Sequence, residues 1–110
     1  MRIHLRFLKE AVHAMDLSIT DFEILQALYE GKHLLISEIV ERIKRSERHI
    51  RERLKILQEN GFLKKDIEVL NNKRLAYRYS LRSVEKIGRE IQTKLFKKID
   101  AIDKLMHEEG

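Results

Sequence analysis

At Gly61 the spacing of apolar residues changes, and this change limits the folds open to the chain. Upstream, apolar positions step by three and four, the period of helices with one buried face. Downstream, Phe62–Val69 and Arg74–Leu81 alternate, as strands do when one side is covered. Asn71-Asn72 between them suits a hairpin turn, because asparagine enters the left-handed region more readily than most residues. Leu75, Tyr77, Tyr79 and Leu81 share one face of the second strand, and Lys73 and Arg74 stand at the hairpin tip. After Ser83 the helical period returns to about Glu108. The expectation is a mainly α chain with a small β-hairpin.

The helical part divides further. Leu5, Leu8, Val12 and Met15 mark an amphipathic helix over residues 2–15. Ser18 and Asp21 form an S-x-x-D capping arrangement for a second helix, which buries Phe22, Leu25 and Leu28 and ends at Gly31 in a left-handed cap. Leu34-Leu35-Ile36 could form one stub strand, and Ser37–Lys44 a short helix with Ile39, Val40 and Ile43 inward. After a tight turn near Arg45, Ser46 caps a helix that runs to about Asn60, with Gly61 closing it.

Charge singles out that last helix. Arg42–Lys55 carries seven basic residues against two acidic ones, a surplus equal to the +5 of the whole chain. At about 100° per residue, Ile50, Leu54 and Leu57 fall on one narrow face. Arg48, Glu52 and Lys55 lie opposite, with His49 and Arg51 on the flanks. A short helix anchored on one side and polar-basic on the other is what a DNA major groove accepts. Ser46, Arg48, His49, Arg51, Glu52 and Lys55, with Lys73 and Arg74 at the hairpin tip, are therefore the candidate DNA-binding residues. Glu47 and Glu52 either accept from cytosine amino groups or orient neighbouring arginines.

Composition excludes several alternatives. Without cysteine there is no disulfide, thiolate metal site or cysteine nucleophile. The five histidines lack paired ligand spacing, so neither a metal nor another cofactor is expected. No glycine-rich phosphate loop or paired carboxylates suggest an enzyme. No apolar run approaches the roughly 20 residues of a membrane span, and the N-terminus does not read as a signal peptide, so the expected location is cytoplasmic. The high charged fraction, 37%, leans towards a thermophile, although the absence of proline leans the other way.

Ser37-Glu38-Ile39, Ser46, Ile50, Leu54, Leu57, Gly61-Phe62-Leu63 and Tyr77-x-Tyr79-Ser80-Leu81 together resemble the winged helix-turn-helix core of the MarR, ArsR and TrmB regulators. With its long final helix, the chain looks most like small archaeal regulators of the Lrs type. At 110 residues the chain is expected to be one domain, with an N-terminal helix over 1–15, a winged core over 18–82 and a dimerisation helix over 83–108. The resemblance implies a homodimeric transcription regulator on double-stranded DNA. The chain departs from the pattern at Leu35, where Ser, Thr or Asp often caps the helix, at Lys44-Arg45 in the turn, and in a wing tip without glycine.

The final helix is longer than one small domain can cover. Ile87, Ile91, Leu95, Ile99, Ile102 and Met106 are therefore expected at a dimer interface, flanked by Leu5, Leu8 and Val12. The two-fold would place two reading helices on an inverted-repeat site. Tyr77 and Tyr79 are read as core, and Phe7, Phe22 and Phe96 as core or dimer contacts. Two other functions fit the same residues: an architectural, chromatin-like DNA-binding protein, or a winged-helix protein-interaction module.

Overall fold

The structure is a computed structural model that describes residues 2–109. Its elements are α1 (Leu5–Ala14), α2 (Ile19–Gly31), β1 (Leu34–Leu35), α3 (Ile36–Ile43), α4 (Glu47–Glu59), β2 (Leu63–Val69), β3 (Leu75–Leu81) and α5 (Val84–Glu109). The strands form one antiparallel sheet in the order β1-β3-β2, so the stub strand completes the sheet against β3. Mainly α structure with one winged hairpin is what the change of period predicts.

Local chemistry fixes the helix ends. At the start of α2 the Ser18 amide donates to Asp21 Oδ2 at 2.8 Å, and the Asp21 amide donates back to Ser18 Oγ at 3.2 Å. This is a reciprocal capping box. At the end of α4, Gly61 takes φ 82°, its amide donates to Gln58 O, and the Phe62 amide donates to Leu57 O. Those two bonds make a Schellman closure, with Phe62 and Leu57 both buried beside it. The helix therefore stops where the period changes.

Two turns differ from the sequence expectation, each in the same way. Gly31 stays helical; Lys32 after it takes φ 69° and ψ −71°, in a γ-turn closed by the His33 amide on Gly31 O. Glycine is needed at 31 for space instead, since a Cβ there would lie 2.7 Å from the Leu34 side chain. In the hairpin the left-handed residue is Lys73 (φ 65°), not Asn71 or Asn72. Lys73 N donates to Leu70 O and Leu70 N to Arg74 O, a three-residue loop in which glycine is usual at the left-handed position. Lys44, between α3 and α4, is left-handed as well. Leu35 offers α3 no side-chain cap, and Glu38 serves from the other end by accepting the Leu35 amide at 2.8 Å.

Leu8, Ile24, Leu25, Leu28, Ile39, Ile50, Leu54, Leu57, Phe62 and Ile87 form the fully buried centre of one core. Leu8 and Ile87 thus belong to the interior of a single chain and leave no surface for a dimer contact, because α1 packs on α2 and α5 packs against α1. Leu5, Val12 and Ile91 are half-buried and pack against the same core. Phe7 and Phe22 also pack there, whereas Phe96 is exposed.

Burial along the wing is graded. Tyr79 at its base is buried, but Tyr77 is 43% exposed and Leu75 66%, so Tyr77 is not core. The alternation runs on past the end of the domain that it packs against. The same holds for α5. Beyond Leu95, the side chains of Phe96, Ile99, Ile102, Leu105 and Met106 are all more than half exposed. The projecting helix stretches the chain to 64 Å and gives a radius of gyration of 16.5 Å. A compact chain of this length would have about 13 Å.

Candidate nucleic-acid interface

Helix α4 is held from below by Ile50, Leu54 and Leu57, all buried. Its first turn is capped by Ser46 Oγ, which accepts from the His49 amide at 3.2 Å. With the apolar face inward, the opposite side is open along its length. Arg48 is the most exposed of the paired side chains there, at 92%. Glu52, Arg51 and Lys55 are exposed as well.

The basic stretch divides into two sets. One set fastens α4 to α2. Arg53 donates from Nε to Asp21 Oδ1 at 2.7 Å and from Nη2 to Oδ2 at 2.6 Å, a bidentate pair on a fully buried carboxylate. Arg45 reaches Glu23 at 2.7 Å, and His49 Nε2 lies 3.2 Å from Thr20 Oγ1. His49 is therefore half-buried and turned towards α2 rather than standing free on the groove face. Burial alone would raise the Asp21 carboxyl, but the hydrogen bonds from Arg53 and Ser18 outweigh it and hold the group below its ordinary range. Two features readable in the sequence, the α2 cap and the α4 charge, meet in this one carboxylate. Only the tertiary contact joins them.

The other set faces outward. Arg48 pairs with Glu52 at 3.5 Å and Arg51 with Glu47 at 3.1 Å, each one helical turn apart. At this exposure such pairs contribute little stability. They lay the two guanidinium groups along the helix instead of letting them wander. Each acidic residue on the face thus has an arginine one turn away as its ion-pair partner. Lys55 has no ion-pair partner among the described residues.

The wing brings a second basic point. Lys73 and Arg74 are exposed at its tip, and the Arg74 amide is held by Asn72 Oδ1 at 3.0 Å. The direction of the wing is set by Arg78 on β3, which donates to Glu68, to Glu38 Oε1 and to the His33 carbonyl. One side chain thereby ties the wing to the first turn of α3. Composition and spacing give no sign of this role, because Arg78 reads only as one more charge on a strand.

The wing also carries an apolar face that the expectation of a tyrosine core does not include. Ile67 stands opposite Tyr77 and Val69 opposite Leu75, and all four are exposed. Lys65 lies over the Tyr77 ring at 4.5 Å. The face borders a cleft of about 340 Å3 between wing and helices, lined by Ile36, Ser37, Arg51, Tyr77 and Tyr79 among others. Burial pushes the Tyr79 phenol up, with Arg51 opposing. The signal for this face is the strict alternation itself, which continues to the tip.

Among the described residues no cluster of His, Cys, Asp or Glu could hold a metal ion, and no helix is long and apolar enough to cross a membrane. The chain matches no curated protein. Residues 17–64 match a family model described as winged helix-turn-helix DNA-binding. Among solved structures, a possible transcriptional regulator from Methanosarcina mazei is 16% identical, with a TM-score of 0.77 over 91% of this chain and 86% of that one. The apo form of MarR from E. coli is 15% identical, with a TM-score of 0.58 over 94% and 85%. A point mutant of MepR from S. aureus, bound to an oligodeoxyribonucleotide, is 13% identical, with a TM-score of 0.59 over 88% and 70%. Residues 17–64 are thus similar to the winged helix-turn-helix DNA-binding model, and the chain as a whole has the winged helix-turn-helix fold seen in MarR and in the Methanosarcina mazei protein.

Proposed function

We propose that the chain is a homodimeric, sequence-specific regulator of transcription that acts on double-stranded DNA. The observation that carries this reading is the division of labour on α4. Arg45, His49 and Arg53 are engaged with α2, while Arg48, Arg51, Glu52 and Lys55 remain on the open side. In this reading Arg48 and Arg51 reach base edges, Lys55 and the α4 N-terminus at Ser46 meet phosphates, and Lys73 with Arg74 follow the backbone beside the wing. His49 holds the helix at its angle and does not read a base.

The second copy is the proposed occupant of the outer half of α5. Five large apolar side chains there, from Phe96 to Met106, are more than half exposed. Pairing with the same helix of a second molecule covers them by symmetry. Two α4 helices would then address half-sites about 34–36 Å apart. The structure of MepR with an oligodeoxyribonucleotide supports DNA as the ligand of this fold.

Glu47 and Glu52 favour specific over architectural binding, since carboxylates on a groove face weaken indiscriminate attraction to phosphate. Selection of bound sites from random duplexes tests the reading. A sharp inverted-repeat motif is the expected result. Broad binding without a motif would assign the architectural role, and no binding would assign a protein-interaction module.

A further inference from the structure

A cleft of about 310 Å3 opens at the base of the wing and shares no lining residue with α4 or the wing tip. Leu28, Tyr29, Leu81 and Val84 give it apolar walls. Lys32, Lys64 and Arg82 line it with positive charge, and no carboxylate is among its lining residues. Ser80 also lines it. Ser80 is only 4% exposed, and its Oγ has no hydrogen-bond partner among the described residues. Such a hydroxyl is uncommon in native structures. Ser80 faces Lys64 across β2 and β3, so both side chains rise from one side of the hairpin, towards the cleft they share.

The cations here differ from the arginines of α4 and share the unpaired state of Lys55. On and beside α4, Arg45, Arg48, Arg51 and Arg53 each have a carboxylate. Lys32, Lys64 and Arg82 make no ion pair within 4 Å among the described residues, although the Glu90 carboxylate acts on Arg82 from further away. Lys32 is held in its strained γ-turn with its ammonium 5.3 Å from the centre of the Tyr29 ring. The N-terminal end of α5 at Ser83 and Val84 adds the positive pole of a long helix, which Glu85 in its first turn partly offsets. The three side chains therefore supply most of the charge.

We propose that this cleft binds a phosphate group carried by a small molecule. The Ser80 hydroxyl would donate to one phosphate oxygen, and Lys32, Lys64 and Arg82 would neutralise the rest. Three cations exceed what one carboxylate can balance and suit the charge of about −1.5 to −2 on a phosphate monoester at neutral pH. The walls of Tyr29 and Leu81 take the less polar body of the molecule. An occupant would touch α2, both strands of the wing and the first turn of α5 at once. The inference does not depend on the DNA reading, because it uses none of the same residues.

The test is titration of the full chain with inorganic phosphate, at ionic strength held constant with sodium chloride, followed by amide NMR and calorimetry. Saturable binding is expected, with shifts centred on residues 32–33 and 80–84. Lys64→Gln and Arg82→Gln, both at exposed positions, should each weaken it about tenfold, Ser80→Ala at least several-fold, and Lys73→Gln not at all. A response that sodium chloride reproduces, shifts centred on α4, or affinity unchanged in Lys64→Gln and Arg82→Gln would each overturn the proposal. The DNA backbone is the competing source of phosphate. If Lys64→Gln and Arg82→Gln each flatten the slope of log K for duplex binding against log salt by about 0.9, those cations belong to DNA and the small-molecule site is wrong.

Discussion

Helix α4 and the outer half of α5 follow the same sequence rule and meet opposite fates. Both place apolar residues every three or four positions, and both carry charge on the remaining faces. In α4 the stripe of Ile50, Leu54 and Leu57 is buried. In α5 the stripe from Phe96 to Met106 stands in solvent, although Ile87, earlier on the same helix, is fully covered. Periodicity states that one face seeks cover. It does not state which molecule supplies it. A second difference reinforces the first: α4 is fastened by an ion pair with a buried member, whereas the ion pair of outer α5, Lys104–Asp100, lies within the helix and is exposed.

The largest expected effect breaks the fastening of α4. Asp21→Ala leaves Arg53 without its partner and removes half of the α2 capping box, and should lower unfolding stability by about 3–5 kcal/mol in urea. The sign of the pH effect follows from Asp21 itself. Its carboxyl is depressed in the folded chain, so its contribution is present above the unfolded pKa of about 3.9 and is lost as pH falls through the lower folded value. The stability gap between wild type and Asp21→Asn should therefore shrink below about pH 4. A gap that does not change with acid would remove the ionised pair from the account.

Next come the two halves of α5. Ile87→Ala opens a cavity in the core and should cost about 2–5 kcal/mol. Ile99→Glu with Ile102→Glu should leave each chain folded but convert dimers to monomers in sedimentation, with full-site duplexes bound little better than half-sites. A double variant that stays dimeric would place the interface on another surface.

A smaller effect tests the outward face of α4. Arg48→Ala should weaken binding to a selected site by about 1–3 kcal/mol and relax preference at one or two base pairs. Equal loss on all sequences would make Arg48 a phosphate contact. The smallest change concerns the wing tip. Lys73→Gly relieves a left-handed lysine and should raise stability by about 1 kcal/mol, while it lowers DNA affinity by loss of one charge. If stability falls instead, the tip conformation differs from the one described.

Much of the fold was legible because it depends on neighbours in sequence. The S-x-x-D box at Ser18 and Asp21, the cap at Ser46 and the closure at Gly61 all use bonds within five residues, so local spacing specifies them. The candidate interface was legible as a concentration of charge. It was not legible as two sets, because whether Arg45, His49 and Arg53 face DNA or α2 depends on Glu23, Thr20 and Asp21, more than twenty positions away. Turn residues were misplaced by one or two positions at Gly31 and Asn72, where space beside Leu34 and the loop hydrogen bonds decide which residue turns left-handed.

By itself, then, the sequence determined the order of helices and strands, the faces that must be buried and the helix that carries the charge. These follow from the periods of 3.6 and 2 and from capping chemistry, which act over one or two turns. Tertiary structure alone decided that Leu8 and Ile87 close the core, that Tyr77 stands clear of it, that Arg78 ties the wing to α3 and that Ser80, Lys32, Lys64 and Arg82 line one cleft. The reason is physical: burial and ion pairing depend on distances between elements, and those are set by how the elements pack, not by their spacing along the chain.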